Sequence, residues 1–295
     1  MQSNIPLISY GWLRAILFFA FFFIVIMAVQ NATETMMNLL QKAETGTDKT
    51  TAELLMGNIW LQVGITSASS FFSVWVFRVF VDKQTVGSLG FAWKGFEKDA
   101  WTGFFAAIAM LGAGTLVLVA LQYVSYVDFK LDIISLGSNL LLMLLVAFAE
   151  ELFFRGYLLN NLMQSMNKWL ALVISAFLFA FVHIGNPAAM DSVIPVIEVF
   201  IGGLMLGINY SYTKNLWFGI FLHFGWNFFM GAVLGYEVSG INLQPILTQN
   251  VTGPDLWTGG AFGFEGSVLS MVVNVVLILI LVAVYERKRL DNRYS

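Results

Sequence analysis

The stretch AFAEELFFRGYLLNNL, residues 147–162, sets two adjacent glutamates and an arginine in one of the most apolar parts of a very apolar chain. An ionisable side chain at the centre of a membrane span costs about 2.5 kcal/mol or more, so it needs a partner or a wet cavity. On a helix Glu151 and Arg155 lie four apart on one face, acid before base, and largely neutralise each other. Glu150 points roughly 100° away. It has no obvious local partner and must meet another helix, a water or a proton. An ion pair alone would simply lock helices together. The extra glutamate turns the reading towards a site. Gly156, beside Arg155, would let another backbone or a substrate come close.

Two more polar groups interrupt apolar runs. In FLFAFVHIGNP, His183 ends an apolar helix that Gly185 and Pro187 stop, with Phe179 one turn earlier on the same face. A lone histidine there is more often a satisfied core residue than a ligand. In FLHFGWN, His223 and Asn227 are four apart and share a face. Alone, they would read as an interhelical hydrogen bond. These are the only two histidines of the chain, and both fall in apolar spans. With the unpaired glutamate and an amide, they point to one shared polar site.

A glutamate and a histidine can hold one water, take its proton and aim it at a carbonyl. A second histidine and an amide can donate to the developing oxyanion. The set suits hydrolysis of a peptide bond. Glu150, His183 and His223 could instead ligate Zn2+ with one position open, so the cofactor is either none or zinc. No GxSG, HExxH or GxGD pattern is present, which argues against the serine, HExxH-zinc and aspartyl types of intramembrane protease.

The elements that must position these groups are membrane helices. The 295 residues are 58% hydrophobic and 11% charged, with mean hydropathy +0.78, against about 25% charged residues in soluble domains. A spanning helix needs roughly 20 apolar residues. Eight candidates are expected, near 12–30, 59–81, 101–123, 136–158, 169–185, 193–212, 216–235 and 267–286. The fold class is all-α, a polytopic helical bundle forming one integral membrane domain over 1–295, with its core at about 136–235. The first apolar run has no clear cleavage site and reads as a retained span. The loop 31–58 is polar and could be partly helical, and Asn31-Ala32-Thr33 matches a glycosylation acceptor. There is no cysteine, which removes disulfides and cysteine-based metal sites. The net charge of −3 gives no sign of a nucleic-acid partner.

With both termini cytoplasmic, ten Lys and Arg fall on the inner side, three on the outer side and two inside spans. That bias gives the orientation. A hairpin turning near Met166-Asn167-Lys168 would set Glu150 and His183 at equal depth. Counted along the helix, His223 lies roughly 13 Å from Lys214 and His183 roughly 22 Å from Lys168, a mismatch that tilt or a re-entrant segment around 156–166 would have to close. Glu198 is a further intramembrane acid, expected to line the same cavity or to pair with Arg78. Gly202, Gly203 and Gly207 read as a close helix contact.

EExxxRG (Glu150, Glu151, Arg155, Gly156), FxxxH (Phe179, His183) and HxxxN (His223, Asn227) together resemble the three motifs of the CAAX protease and bacteriocin-processing family, also called Abi. The resemblance implies that Glu150 and His183 activate water, His223 and Asn227 form the oxyanion site, and Glu151 and Arg155 support the structure. It also implies a membrane-embedded peptide or protein substrate, and either a metal-dependent or a glutamate-dependent mechanism. The glutamate version is favoured, because few ordered partners for metal ligands can be named from sequence. Composition and short loops fit a bacterial plasma-membrane protein, for which prenylated CAAX substrates are not expected. Two other classes compete. A transporter or immunity protein would use the cluster for binding, but no internal repeat is seen. A scaffold would only pack it.

Overall fold

The computed structural model describes residues 5–45 and 58–294. Apolar composition dictates the architecture. With no water to satisfy backbone groups in a bilayer, each span closes its own hydrogen bonds as a helix. The described helices are α1 (Gly11–Thr45), α2 (Ile59–Val81), α3 (Glu97–Ala120), α4 (Ile133–Leu162), α5 (Lys168–His183), α6 (Val193–Thr213), α7 (Trp217–Val233) and α8 (Val268–Tyr294). Among the described residues six are long and apolar enough to cross a membrane, and α5 and α7 are shorter. All eight expected spans are therefore helical. α1 runs on to Thr45, so the start of the expected 31–58 loop is helix. The rest of that loop, 46–57, lies outside the described residues.

One element departs from an all-α chain. Val124–Phe129 (β1) pairs antiparallel with Leu247–Val251 (β2), with Val124 opposite Val251 and an irregularity between Tyr126 and Asp128. The ribbon joins the α3–α4 connection to the long α7–α8 connection. Its strands are too short and irregular to show in an alternation of apolar and polar residues.

Small residues bring the helices around the site close together. On α3, a Cβ at Gly103 would lie 2.4 Å from the Phe218 carbonyl of α7. On α6, a Cβ at Gly203 would lie 3.0 Å from Ala176 of α5, and one at Gly207 would lie 2.4 Å from Leu172. Gly202 faces open space, so only two of the three α6 glycines make the expected packing contact. Gly156 does not meet backbone or an open site. Its nearest neighbours are Leu152, Leu216 and Leu89 side chains. That corrects the sequence reading of a close approach by backbone or substrate there.

Two wide π-helical segments flank the chemistry, Leu152–Leu159 in α4 and Phe228–Val233 in α7. Such turns interrupt the regular hydrogen-bond ladder and often occur at functional sites. The α4 segment is wholly buried. Phe18 stacks on it, with ring centroids 4.1 Å from Tyr157 and 4.6 Å from Phe153.

At one end of the bundle Asp82, with no exposed surface, joins three helices. It accepts from Arg14 Nη1 at 2.7 Å, Arg78 Nη1 at 2.8 Å and Tyr157 Oη at 3.2 Å. Arg78 thus pairs with Asp82 and not with Glu198. Replacing Asp82 with Ala would leave two buried guanidinium groups without their carboxylate. The expected loss is about 3–5 kcal/mol, the range for breaking a buried pair. Thermal unfolding of the purified variant in detergent, with abundance in membranes as a second readout, checks it.

Candidate active site

Four helices deliver the polar residues to one place. Asn167 starts α5 by accepting the Leu170 amide at 3.0 Å, which closes the α4–α5 hairpin at the expected turn. Glu150 of α4 and His183 of α5 then face each other, with His183 Nε2 3.8 Å from Glu150 Oε2. His223 of α7 comes from the other side, its Nε2 3.9 Å from the same oxygen. Both histidines thus reach the same carboxylate oxygen, which closes the depth mismatch counted from Lys168 and Lys214. The α6–α7 turn that carries the exposed Lys214 is pinned to the segment before α3: Leu216 donates its amide to Gly90 and Asn215 donates its side-chain amide to Ala92. Gly90 allows this contact, since it adopts φ +121° and a Cβ there would lie 2.5 Å from the Lys214 carbonyl.

Glu151 holds the assembly from behind. Its side chain has no exposed surface. Its Oε1 accepts from Arg155 Nη1 at 2.8 Å and from His223 Nδ1 at 3.1 Å. Arg155, 1% exposed, also donates to the Gly203 carbonyl at 3.0 Å and lies 4.6 Å over the Phe179 ring. One ion pair thus connects α4, α5, α6 and α7. Asn227 is buried one turn after His223 and lines the same cavity.

These contacts fix the histidine tautomers. His183 Nδ1 lies 2.7 Å from the Phe179 carbonyl, which can only accept, so Nδ1 carries the proton. The motif spacing from Phe179 to His183 is thus a backbone hydrogen bond as well as a ring contact, at 4.4 Å between centroids. His223 Nδ1 faces the Glu151 carboxylate and likewise donates. Both Nε2 atoms are therefore turned towards Glu150 Oε2, which is buried and has no hydrogen-bond partner. Glu150 Oε2 and His183 Nε2 are acceptors facing one gap and require a donor between them, a water or the proton of a charged His223.

The cavity beside these atoms is about 90 Å³ and is also lined by Glu198, as expected from its position, and by Gly202, Glu265 and Asn274. Glu150 and His183 border a second cavity of about 320 Å³ that reaches α1 and α2 through Phe22, Thr66 and Ser70. Glu265 and Asn274 were missed at the sequence level. Asn274 had a usable signal: with Ser270 it forms a polar pair four apart in an otherwise apolar helix, the pattern that singled out His223 and Asn227.

The donor types suit zinc: two imidazole Nε2 atoms and a carboxylate, each imidazole oriented through its Nδ1. Ordered partners for both histidines thus exist, and the sequence-level reason for favouring a metal-free mechanism falls away. The nitrogens stand 3.8 and 3.9 Å from Glu150 Oε2, about 0.5 Å wider than the ligand spacing of a tetrahedral zinc site. Among the described residues no three His, Asp or Glu side chains gather closely enough to hold an ion.

Gly219 is where the packing around Glu151 is least forgiving. A Cβ there would lie 2.8 Å from Glu151 Oε2, on a side chain already held by Arg155 and His223. Gly219→Ala is expected to cost about 1–3 kcal/mol, the usual overpacking range. Gly202→Ala, with nothing within 4 Å of the new Cβ, is expected to be neutral or slightly stabilising. Thermal unfolding of the two variants side by side tests the contrast.

Residues 133–229 match the family model described as type II CAAX prenyl endopeptidase Rce1-like. No curated protein and no solved structure matches the chain. The matched segment begins with α4, ends within α7 and contains all three motifs with the residues that meet around Glu150. Over this segment the chain is similar to that family of endopeptidases, and its long apolar helices fit a membrane setting.

Proposed function

We propose that the protein hydrolyses peptide bonds of membrane-associated proteins or peptides with a water activated by Glu150 and His183. The observation that carries this reading is the unpartnered, buried Oε2 of Glu150, with two imidazole Nε2 atoms at 3.8 and 3.9 Å beside a cavity. A water in that gap donates one hydrogen to Glu150 and the other to His183, whose Nε2 is an acceptor because Nδ1 holds the proton.

The two histidines then have different tasks, set by their partners. His183 rests on a neutral carbonyl and serves as an acceptor. His223 rests on the carboxylate of Glu151, which supplies a counter-ion for an imidazolium. In that form its Nε2–H points into the cavity as a donor. The water oxygen attacks the substrate carbonyl carbon while its proton passes to Glu150. The carbonyl oxygen takes up negative charge, and His223 Nε2–H and the Asn227 amide stabilise it. Glu150 then returns the proton to the leaving nitrogen as the C–N bond breaks. Glu151 and Arg155 touch no substrate. They position His223 and hold four helices in register.

The position of the chain in its membrane is part of the same reading. Both termini lie on the cytoplasmic side of a plasma membrane, supported by the ten-to-three excess of Lys and Arg on that side.

Glu150→Gln keeps the shape of the side chain and removes the base. Cleavage of a quenched library of peptides and membrane segments by purified protein in liposomes should fall by about 10²–10⁴-fold. Unfolding temperature should hold. A strong chelator should leave wild-type cleavage unchanged. Cleavage by Glu150→Gln at the wild-type rate would remove Glu150 from the mechanism. Loss to the chelator with recovery on adding zinc would make Glu150, His183 and His223 ligands.

A further inference from the structure

Two carboxylates that the chemistry at Glu150 does not use line the same cavity, Glu198 buried and Glu265 half-buried. Glu198 of α6 is 2% exposed. Its Oε1 accepts from Ser270 Oγ and Asn274 Nδ2 of α8, each at 2.5 Å. Glu265, in the turn before α8, accepts from Trp226 Nε1 at 2.8 Å, from the Ser239 amide at 3.0 Å and from Ser239 Oγ at 2.6 Å. All these donors are neutral. Among the described residues no Lys, Arg or His forms an ion pair with either acid. Asn274, 1% exposed, also lines the cavity, and its Oδ1 has no hydrogen-bond partner.

This wall has a surplus of acceptors. Its hydroxyl, indole and amide donors are already committed to the carboxylates. Buried anions without a counter-ion are costly, and a cation entering the cavity would offset that cost. No group of three His, Asp or Glu that could hold a divalent metal is present among the described residues. An ammonium or guanidinium does suit it. Either brings several N–H donors and one positive charge at the end of an apolar stem, and Val199, Val238 and Ile241 line the cavity for such a stem.

We infer that Glu198, Glu265 and Asn274 form a specificity subsite that takes a basic side chain, Lys or Arg, of the peptide cleaved at Glu150. The inference rests on the protease reading and adds a substrate class to it.

The test has two arms that separate the subsite from the reaction. In the first, thermal unfolding of purified protein in detergent is followed with n-butylammonium chloride, and with n-butanol plus sodium chloride at equal ionic strength. The ammonium should stabilise wild type more than the alcohol does, and Glu198→Gln should abolish the difference. In the second, paired peptides carry lysine or norleucine near the cleaved bond. Wild type should prefer lysine by at least about tenfold, as expected when an analogue leaves buried polar groups unpaired. Glu198→Gln should pull that ratio towards one.

Glutamine can keep the acceptor for Ser270 and Asn274. If Glu198→Gln nonetheless fails to fold, Glu265→Gln serves in its place. Equal stabilisation by ammonium and alcohol overturns the subsite. Cleavage without preference for lysine also overturns it and leaves the protease reading standing. Ammonium-specific stabilisation with no cleavage of either peptide supports cation recognition by the wall and removes the protease reading.

Discussion

A carboxylate with no exposed surface cannot stand alone in a membrane protein, and Glu151 has none. Its Oε1 is shared between the Arg155 guanidinium and the His223 imidazole. Much of the site geometry follows from that sharing. Arg155 is drawn in far enough to donate to the Gly203 carbonyl of α6. His223 is turned so that Nε2 leaves the pair and faces Glu150. Removing Arg155 would leave Glu151 as an uncompensated buried charge, at about 3–5 kcal/mol. The arrangement therefore joins stability and chemistry in one interaction.

The adjacent glutamates divide along the helix. Glu151 faces the packed interior, and Glu150, about 100° round, faces the cavity. Glu150 is a quarter exposed on its side chain while Glu151 is fully enclosed. The same acid type thus serves as a fixed anchor and as a group with an open coordination position. The acids at the far wall, Glu198 and Glu265, differ again: neutral donors hold them, and neither has a cationic partner among the described residues. One cavity consequently meets carboxylates in distinct settings, and the proposed division between reaction and recognition follows from those settings.

Much of this was legible in the sequence because charges are rare in it. With so few ionisable groups in apolar runs, each required a partner; spacing of four paired Glu151 with Arg155 and set His223 and Asn227 on one face. The eight helices followed from length and hydropathy, six of them long and apolar enough to cross a membrane among the described residues. Contacts distant in sequence were not legible. Asp82 receives Arg14 from another helix, and Trp226 reaches Glu265 across the α7–α8 connection. Neither pairing has a local spacing to betray it. The two-stranded ribbon was hidden for a similar reason, since its strands are 124 to 129 and 247 to 251. The meeting of His183 and His223 at Glu150 was not legible in depths counted from Lys168 and Lys214, because a count along one helix says nothing of how neighbouring helices are offset.

The central claim is that Glu150 and His183 act on one water. A double-mutant cycle on single-turnover cleavage tests it most directly, with Glu150→Gln, His183→Gln and the pair. Groups that act as a unit lose nearly the whole effect with the first substitution. The double variant should then be no slower than the slower single variant, within about threefold, a coupling that contact residues readily show. Rate losses that multiply across the two substitutions would contradict the claim and assign Glu150 and His183 to separate steps.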